Sequence, residues 1–107
     1  MYDKYLITGA TGFLGRTVVE ELVHHDAQVR ALVLHNDPYI NLLPKEVHTI
    51  VGDVCDKNSL ADFFVDADSR TCVIHCAGIV SVASRPGPKL YQVNVGGTWR
   101  ILRQCLE

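Results

Sequence analysis

Short apolar runs alternate along this chain with stretches in which apolar residues recur every three to four positions, a pattern that predicts four strand-then-helix units. Lys4 to Thr8 reads as the first strand. Its helix runs from about Gly12 to His25, with Leu14, Val18 and Leu22 on the inward stripe and Arg16, Glu20 and Glu21 nearer solvent. Gln28 to Leu34 is nearly all apolar, as a strand buried on both faces should be. The turn formers His35-Asn36-Asp37-Pro38 and a short segment to Pro44 separate it from a third strand, Val47 to Val51, closed by Gly52-Asp53. A helix is then expected with Asp56 as N-cap and Leu60, Phe63 and Phe64 inward. Arg70 to Cys76 is the fourth strand, ending in Ala77-Gly78. After a loop holding Pro86, Gly87 and Pro88, a last helix spans Lys89 to about Leu106.

This alternation predicts an α/β fold, a parallel sheet with helices on both faces, because parallel strands need crossover connections that cover the sheet. Right-handed crossovers place the strands in the order 3-2-1-4, the order of a Rossmann-type doubly wound sheet in partial form. A ligand then belongs at the carboxyl ends of the strands. Gly9 to Gly15, Leu34 to His35, Asp53 to Val54 and Cys76 to Val80 all fall there.

Composition narrows the class. With 107 residues, 48% of them hydrophobic, the chain can bury one core, and residues 1–107 are expected to form a single domain. A net charge of -2 with scattered basic residues argues against nucleic acid or an acidic membrane surface as partner. No run approaches membrane-spanning length and the start lacks a long apolar stretch, so the cytoplasm is the expected address. Cys55, Cys72, Cys76 and Cys105 are expected as free, mostly buried thiols rather than metal ligands, and His24 and His25 as helix-terminal cations; no metal site is expected.

The chemistry concentrates in Thr8-Gly9-Ala10-Thr11-Gly12-Phe13-Leu14-Gly15, which succeeds a strand and opens a helix. Gly9 permits a tight turn, Gly12 lets the backbone approach a pyrophosphate, and Gly15 lets the helix pack closely. The helix N-terminus offers unpaired N–H groups and the positive end of its dipole to an anion.

Together with Gly52-Asp53-Val54, His75-Cys76-Ala77-Gly78 and Asn94-Val95-Gly96-Gly97-Thr98, this loop resembles the extended branch of the short-chain dehydrogenase/reductase superfamily, in particular the NAD-dependent epimerase/dehydratase group and its dihydroflavonol-reductase-like members. The resemblance covers nearly the whole chain. It implies NAD or NADP as cofactor, with Gly9, Thr11, Gly12, Phe13, Leu14 and Gly15 around the pyrophosphate. Asp53 would accept from the adenine amine beside the Val54 amide; the plainer account is a turn or capping aspartate. Cys76 to Val80, with Cys76, Ala77 and Gly78 foremost, would line the dinucleotide, or form an ordinary strand-end turn. Asn94 would lie near the nicotinamide as an accessory catalytic residue, or bridge helix and sheet. Leu90, Asn94, Gly97 and Ile101 are expected to face inward, and close packing is expected at Gly96-Gly97.

Two departures limit the reading. After the second strand the family usually carries an acid for the ribose diol or an arginine for a 2′-phosphate, whereas Val33-Leu34-His35-Asn36 offers neither, so the choice of cofactor stays open: His35 or Asn36 would contact the ribose, a protonated His35 would favour the phosphate, or the segment is a solvated loop. The family also uses a Ser or Thr with a Tyr-x-x-x-Lys pair. Here Tyr2, Tyr5, Tyr39 and Tyr91 are succeeded four positions on by Leu6, Gly9, Leu43 and Val95. The expectation is therefore the amino-terminal, cofactor-binding portion of a longer NAD(P)-dependent oxidoreductase or nucleotide-sugar epimerase/dehydratase, acting on a small-molecule substrate as a possible homodimer and not turning over by itself. The alternative is a noncatalytic NAD(P)-binding redox sensor.

Overall fold

A computed structural model describes residues 2–78 and 88–106. Four parallel strands, β1 (Lys4–Thr8), β2 (Gln28–Val33), β3 (His48–Val51) and β4 (Thr71–His75), form one sheet in the order β3-β2-β1-β4. The register pairs Ile7 with Ala31 and with Ile74, so the carboxyl ends of the strands finish together. This is the expected partial Rossmann arrangement.

Period-two alternation divides the core. Ile7, Val29, Ala31 and Val33 face α1 (Phe13–His24) through Val19, whereas Leu6 and Leu32 face the opposite layer with Val54, Leu60, Phe63, Val93 and Ile101. Both faces of the central strands are therefore covered. On α1 the buried positions are Gly15 and Val19, with Val18, Leu22 and Val23 packed partly against the core. Leu14, expected inward, is 64% exposed. The stripe is rotated by about one position because Gly15 must sit against the preceding turn, which turns the Leu14 side chain outward.

The segment after β3 is a second correction. Asp56 does cap it, its Oδ1 accepting from the Asn58 N–H at 3.1 Å, but the capped element is a short 3₁₀-helix, Lys57–Leu60, that gives way to turns instead of the expected α-helix. Ser59 Oγ donates toward the Asp53 and Asp56 carbonyls and accepts from the Asp53 N–H, so local side-chain bonds hold backbone groups that a helix would use. Leu60 and Phe63 are still fully buried, while Phe64 is only half-buried.

The last helix is interrupted. It is α-helical over Pro88–Tyr91 (α2), π-wound over Gln92–Gly97, and α-helical again over Thr98–Cys105 (α3). Asn94, Gly96 and Gly97 are weak helix formers, and the wide winding falls on them. Close packing is found at Gly97, where a Cβ would lie 2.6 Å from Val54 Cγ2; at Gly96 it would meet only the far end of the Arg100 side chain. The thiols of Cys55, Cys72 and Cys76 are half-buried and that of Cys105 is exposed, all four unpaired, so they are more open than expected. Among the described residues no cluster could hold a metal, and no helix is long and apolar enough to cross a membrane.

Candidate functional site

At the carboxyl ends of the strands lies a cleft of about 330 Å³. Its wall is drawn from every strand end: Thr8, Gly9, Thr11 and Gly12 after β1, Leu34 and Asp37 after β2, Gly52, Asp53 and Val54 after β3, and Cys76, Ala77 and Gly78 after β4. Leu32 and Val93 add apolar surface and Lys89 an ammonium.

The three glycines of the first loop do different work. Gly9 has φ +66°, and a Cβ there would lie 2.5 Å from the Cys76 carbonyl carbon. At Gly15 a Cβ would run into the Gly9 carbonyl oxygen. The fold itself demands both. Gly12 is extended, with φ -75° and ψ 170°, and a Cβ would meet nothing nearer than the Gly9 oxygen at 3.4 Å, an ordinary contact. Among the described residues nothing requires a glycine there, yet the position borders the cleft and is the N-cap of α1, with no side-chain cap on the first amides. A bare backbone beside unpaired N–H donors is what an anion's close approach needs.

Of the candidate cofactor residues, Gly9, Thr11, Gly12, Leu34, Asp53, Val54, Cys76, Ala77 and Gly78 line the cleft. Phe13, Leu14, Gly15, His35 and Asn94 do not. Phe13 and Leu14 open α1 with exposed side chains, Gly15 is buried against the Gly9 turn, and His35 is exposed to solvent. Asn94 Oδ1 lies 3.2 Å from where a Gly78 Cβ would stand. Ile79 and Val80 lie outside the described residues. Asp53 serves its turn, Oδ1 accepting from the Cys55 N–H at 2.8 Å, while also bordering the cleft.

A linear reading of the strand end misses Asp37. The chain turns back after β2, with the Asp37 N–H donating to the Leu34 carbonyl at 3.2 Å, and this returns the carboxylate to the cleft. Thr11 Oγ1 donates to Asp37 Oδ2 at 2.5 Å and the Tyr39 N–H to Oδ1 at 2.8 Å, so an acid is fixed beside the glycine loop. The signal is present in Asn36-Asp37-Pro38, a turn sequence that folds back on its strand. Lys89 is a second charged cleft residue outside the candidate set, since its sequence position marks it only as a helix start.

Burial lowers the His75 pKa below the ordinary histidine value and raises that of the Cys76 thiol. Both shifts favour the neutral form, for the His75 imidazole behind the cleft wall and for the Cys76 thiol in it.

A doubly wound parallel sheet with a glycine-lined cleft at its strand tips and a helix opening from the glycine loop defines a Rossmann-type protein. The sequence profile of the 3-beta hydroxysteroid dehydrogenase/isomerase family matches residues 6–107, and the chain belongs to that family, within the extended short-chain dehydrogenase/reductases. It is 36% identical over 110 residues to human 3 beta-hydroxysteroid dehydrogenase type 7, covering 96% of this chain and 29% of that protein. A putative dihydroflavonol 4-reductase of Synechocystis is 33% identical over 102 residues, 95% of this chain and 29% of the relative. The structure of Thermus thermophilus UDP-glucose 4-epimerase in complex with NAD superposes with a TM-score of 0.82 at 30% identity, over 95% of this chain and 33% of that one. The chain thus spans about three-tenths of the length of the curated relatives it matches.

Proposed function

We propose that this chain binds a nicotinamide adenine dinucleotide in the strand-tip cleft, as the cofactor-binding portion of an NAD(P)-dependent oxidoreductase. The observation that carries this reading is Gly12, a cleft-lining residue at the head of α1 whose missing side chain the fold does not need. The Gly12 to Leu14 backbone would hold the pyrophosphate, Asp53 and Val54 the adenine end, and Cys76 to Gly78 the inner wall. When bound, the dinucleotide supplies hydride acceptance and donation; the residues here bind and orient it.

Asp37 favours NAD over NADP. Its carboxylate can accept from a ribose diol, whereas a 2′-phosphate would bring like charges together. Titration of the purified protein with NAD, NADH, NADP and NADPH tests both statements, with NAD and NADH expected to bind more tightly. Absence of binding by all four would overturn the reading.

For the whole protein, hydride transfer at a secondary alcohol carbon is favoured over epimerisation, because several relatives of 30% identity or more carry hydroxysteroid dehydrogenase names. A longer reading frame that carries a Tyr-x-x-x-Lys pair for proton transfer would support the enzyme, and one without it a redox sensor. A second copy of the chain is the proposed protein partner: Val95, Trp99, Leu102 and Leu106 are exposed at the three- and four-residue intervals of a helix-pairing stripe. Four unpaired thiols suit the reducing cytoplasm as compartment.

A further inference from the structure

A chain of hydrogen bonds that no part of the cofactor reading uses runs from β1 across the sheet to the last helix. Thr8 is fully buried, and its Oγ1 accepts from the Cys76 and Ala77 N–H groups, each at 3.1 Å. The Cys76 N–H is shared with the Thr8 carbonyl, also at 3.1 Å. Thr8 Oγ1 lies 2.6 Å from His75 Nδ1, and His75 Nε2 lies 3.0 Å from Thr98 Oγ1, which donates to the Asn94 carbonyl at 2.7 Å.

Proton counting fixes every direction. A hydroxyl has one proton and two lone pairs. Both lone pairs of Thr8 Oγ1 are taken by backbone N–H groups, so its proton must go to His75 Nδ1. The Thr98 proton is spent on Asn94, so Thr98 Oγ1 must accept from His75 Nε2–H. The opposite tautomer would ask Thr8 Oγ1 to accept three bonds and leave its proton without an acceptor. A charged imidazole fails at the same atom.

We infer that His75, held neutral and protonated on Nε2, is a positioning residue that locks the cleft wall at Cys76 and Ala77 to the π-wound segment carrying Asn94. One end of the relay fixes the two amides that stand against Gly9, where 2.5 Å separates a would-be Cβ from the Cys76 carbonyl carbon, so a small shift of that wall would change the width of the cleft. The other end ties the wall to the helix turn around Asn94. Burial, which favours the neutral imidazole, agrees with this assignment. The relay positions a dinucleotide seat only if the cofactor reading above holds; the relay itself does not depend on it.

The test has two arms on the purified protein. Imidazole nitrogen NMR at neutral pH should find His75 bare at Nδ1 and protonated at Nε2; an Nδ1–H tautomer or an imidazolium overturns the assignment. Thr98→Val should then speed amide exchange at Cys76 and Ala77 and raise the Kd for NAD roughly three- to tenfold, the worth of about one hydrogen bond, with Thr98→Ser restoring both. Unchanged exchange and affinity in Thr98→Val overturn the coupling. If the wild type binds no dinucleotide, the cofactor reading falls, while the NMR and exchange results still decide the relay.

Discussion

At the scale of the residue, the glycine loop separates what the fold needs from what a ligand needs. Gly15→Ala drives a methyl into the Gly9 carbonyl and should destabilise by more than about 3 kcal/mol, visible as a large fall in the urea midpoint. Gly12→Val should leave that midpoint within about 1 kcal/mol of wild type and remove dinucleotide binding by calorimetry. Equal loss of stability in both variants would mean that Gly12 is structural. His75 gives a pH signature. Its folded pKa lies below the ordinary value of 6.5, so the unfolded chain binds the extra proton first. Its stabilising contribution is complete above that value and declines as pH falls from there toward the depressed folded pKa. The groups facing the ring are the Thr8 and Thr98 hydroxyls, and burial alone accounts for the direction. Urea titrations through this window should show a slope that His75→Gln reduces. These residue roles are legible only in part: the sequence shows three glycines at the right spacing, but which of them the chain itself requires depends on contacts with Cys76 and Gly9 made across the sheet.

Element by element, the strands are the most legible: the central β1 and β2 announce themselves in apolar runs buried on both faces, and the more open β3 and β4 in short β-branched runs bounded by turn residues. β1 and the core of β2 to β4 stand where alternation places them. The segment after Asp56 is not legible as turns, since Leu60 and Phe63 have helical spacing while the bonds that break the helix come from Ser59 reaching back to Asp53. Phe63→Ala should therefore cost roughly 3–5 kcal/mol, as full burial implies, and Phe64→Ala clearly less, although helical spacing makes both look equally inward. Thermal unfolding of the pair checks this. The π-wound turn is likewise hidden: Asn94, Gly96 and Gly97 mark a weak helix, but the anchoring of Gly97 on Val54 is a contact between elements.

For the whole molecule, the four strand tips act together, and Asp37 is the clearest case of a property that no single element holds. Asp37→Ser should narrow the preference for NAD over NADP about tenfold or more, read as the ratio of their Kd values, because it removes the charge that a 2′-phosphate would meet. An unchanged ratio would place discrimination elsewhere. Trp99→Glu should shift sedimentation toward the monomer if the exposed stripe on α3 pairs two copies. What the sequence determined by itself was the class: strand and helix periods, the order 3-2-1-4, and a glycine-rich turn at a helix start, all of them local consequences of side-chain spacing and backbone freedom. Only the tertiary structure decided which side chains meet in the cleft. The turn that returns Asp37 to Thr11, the placement of Lys89, the outward rotation of Leu14 and the relay through His75 each depend on where distant segments lie in space, and spacing along a chain carries no record of that distance.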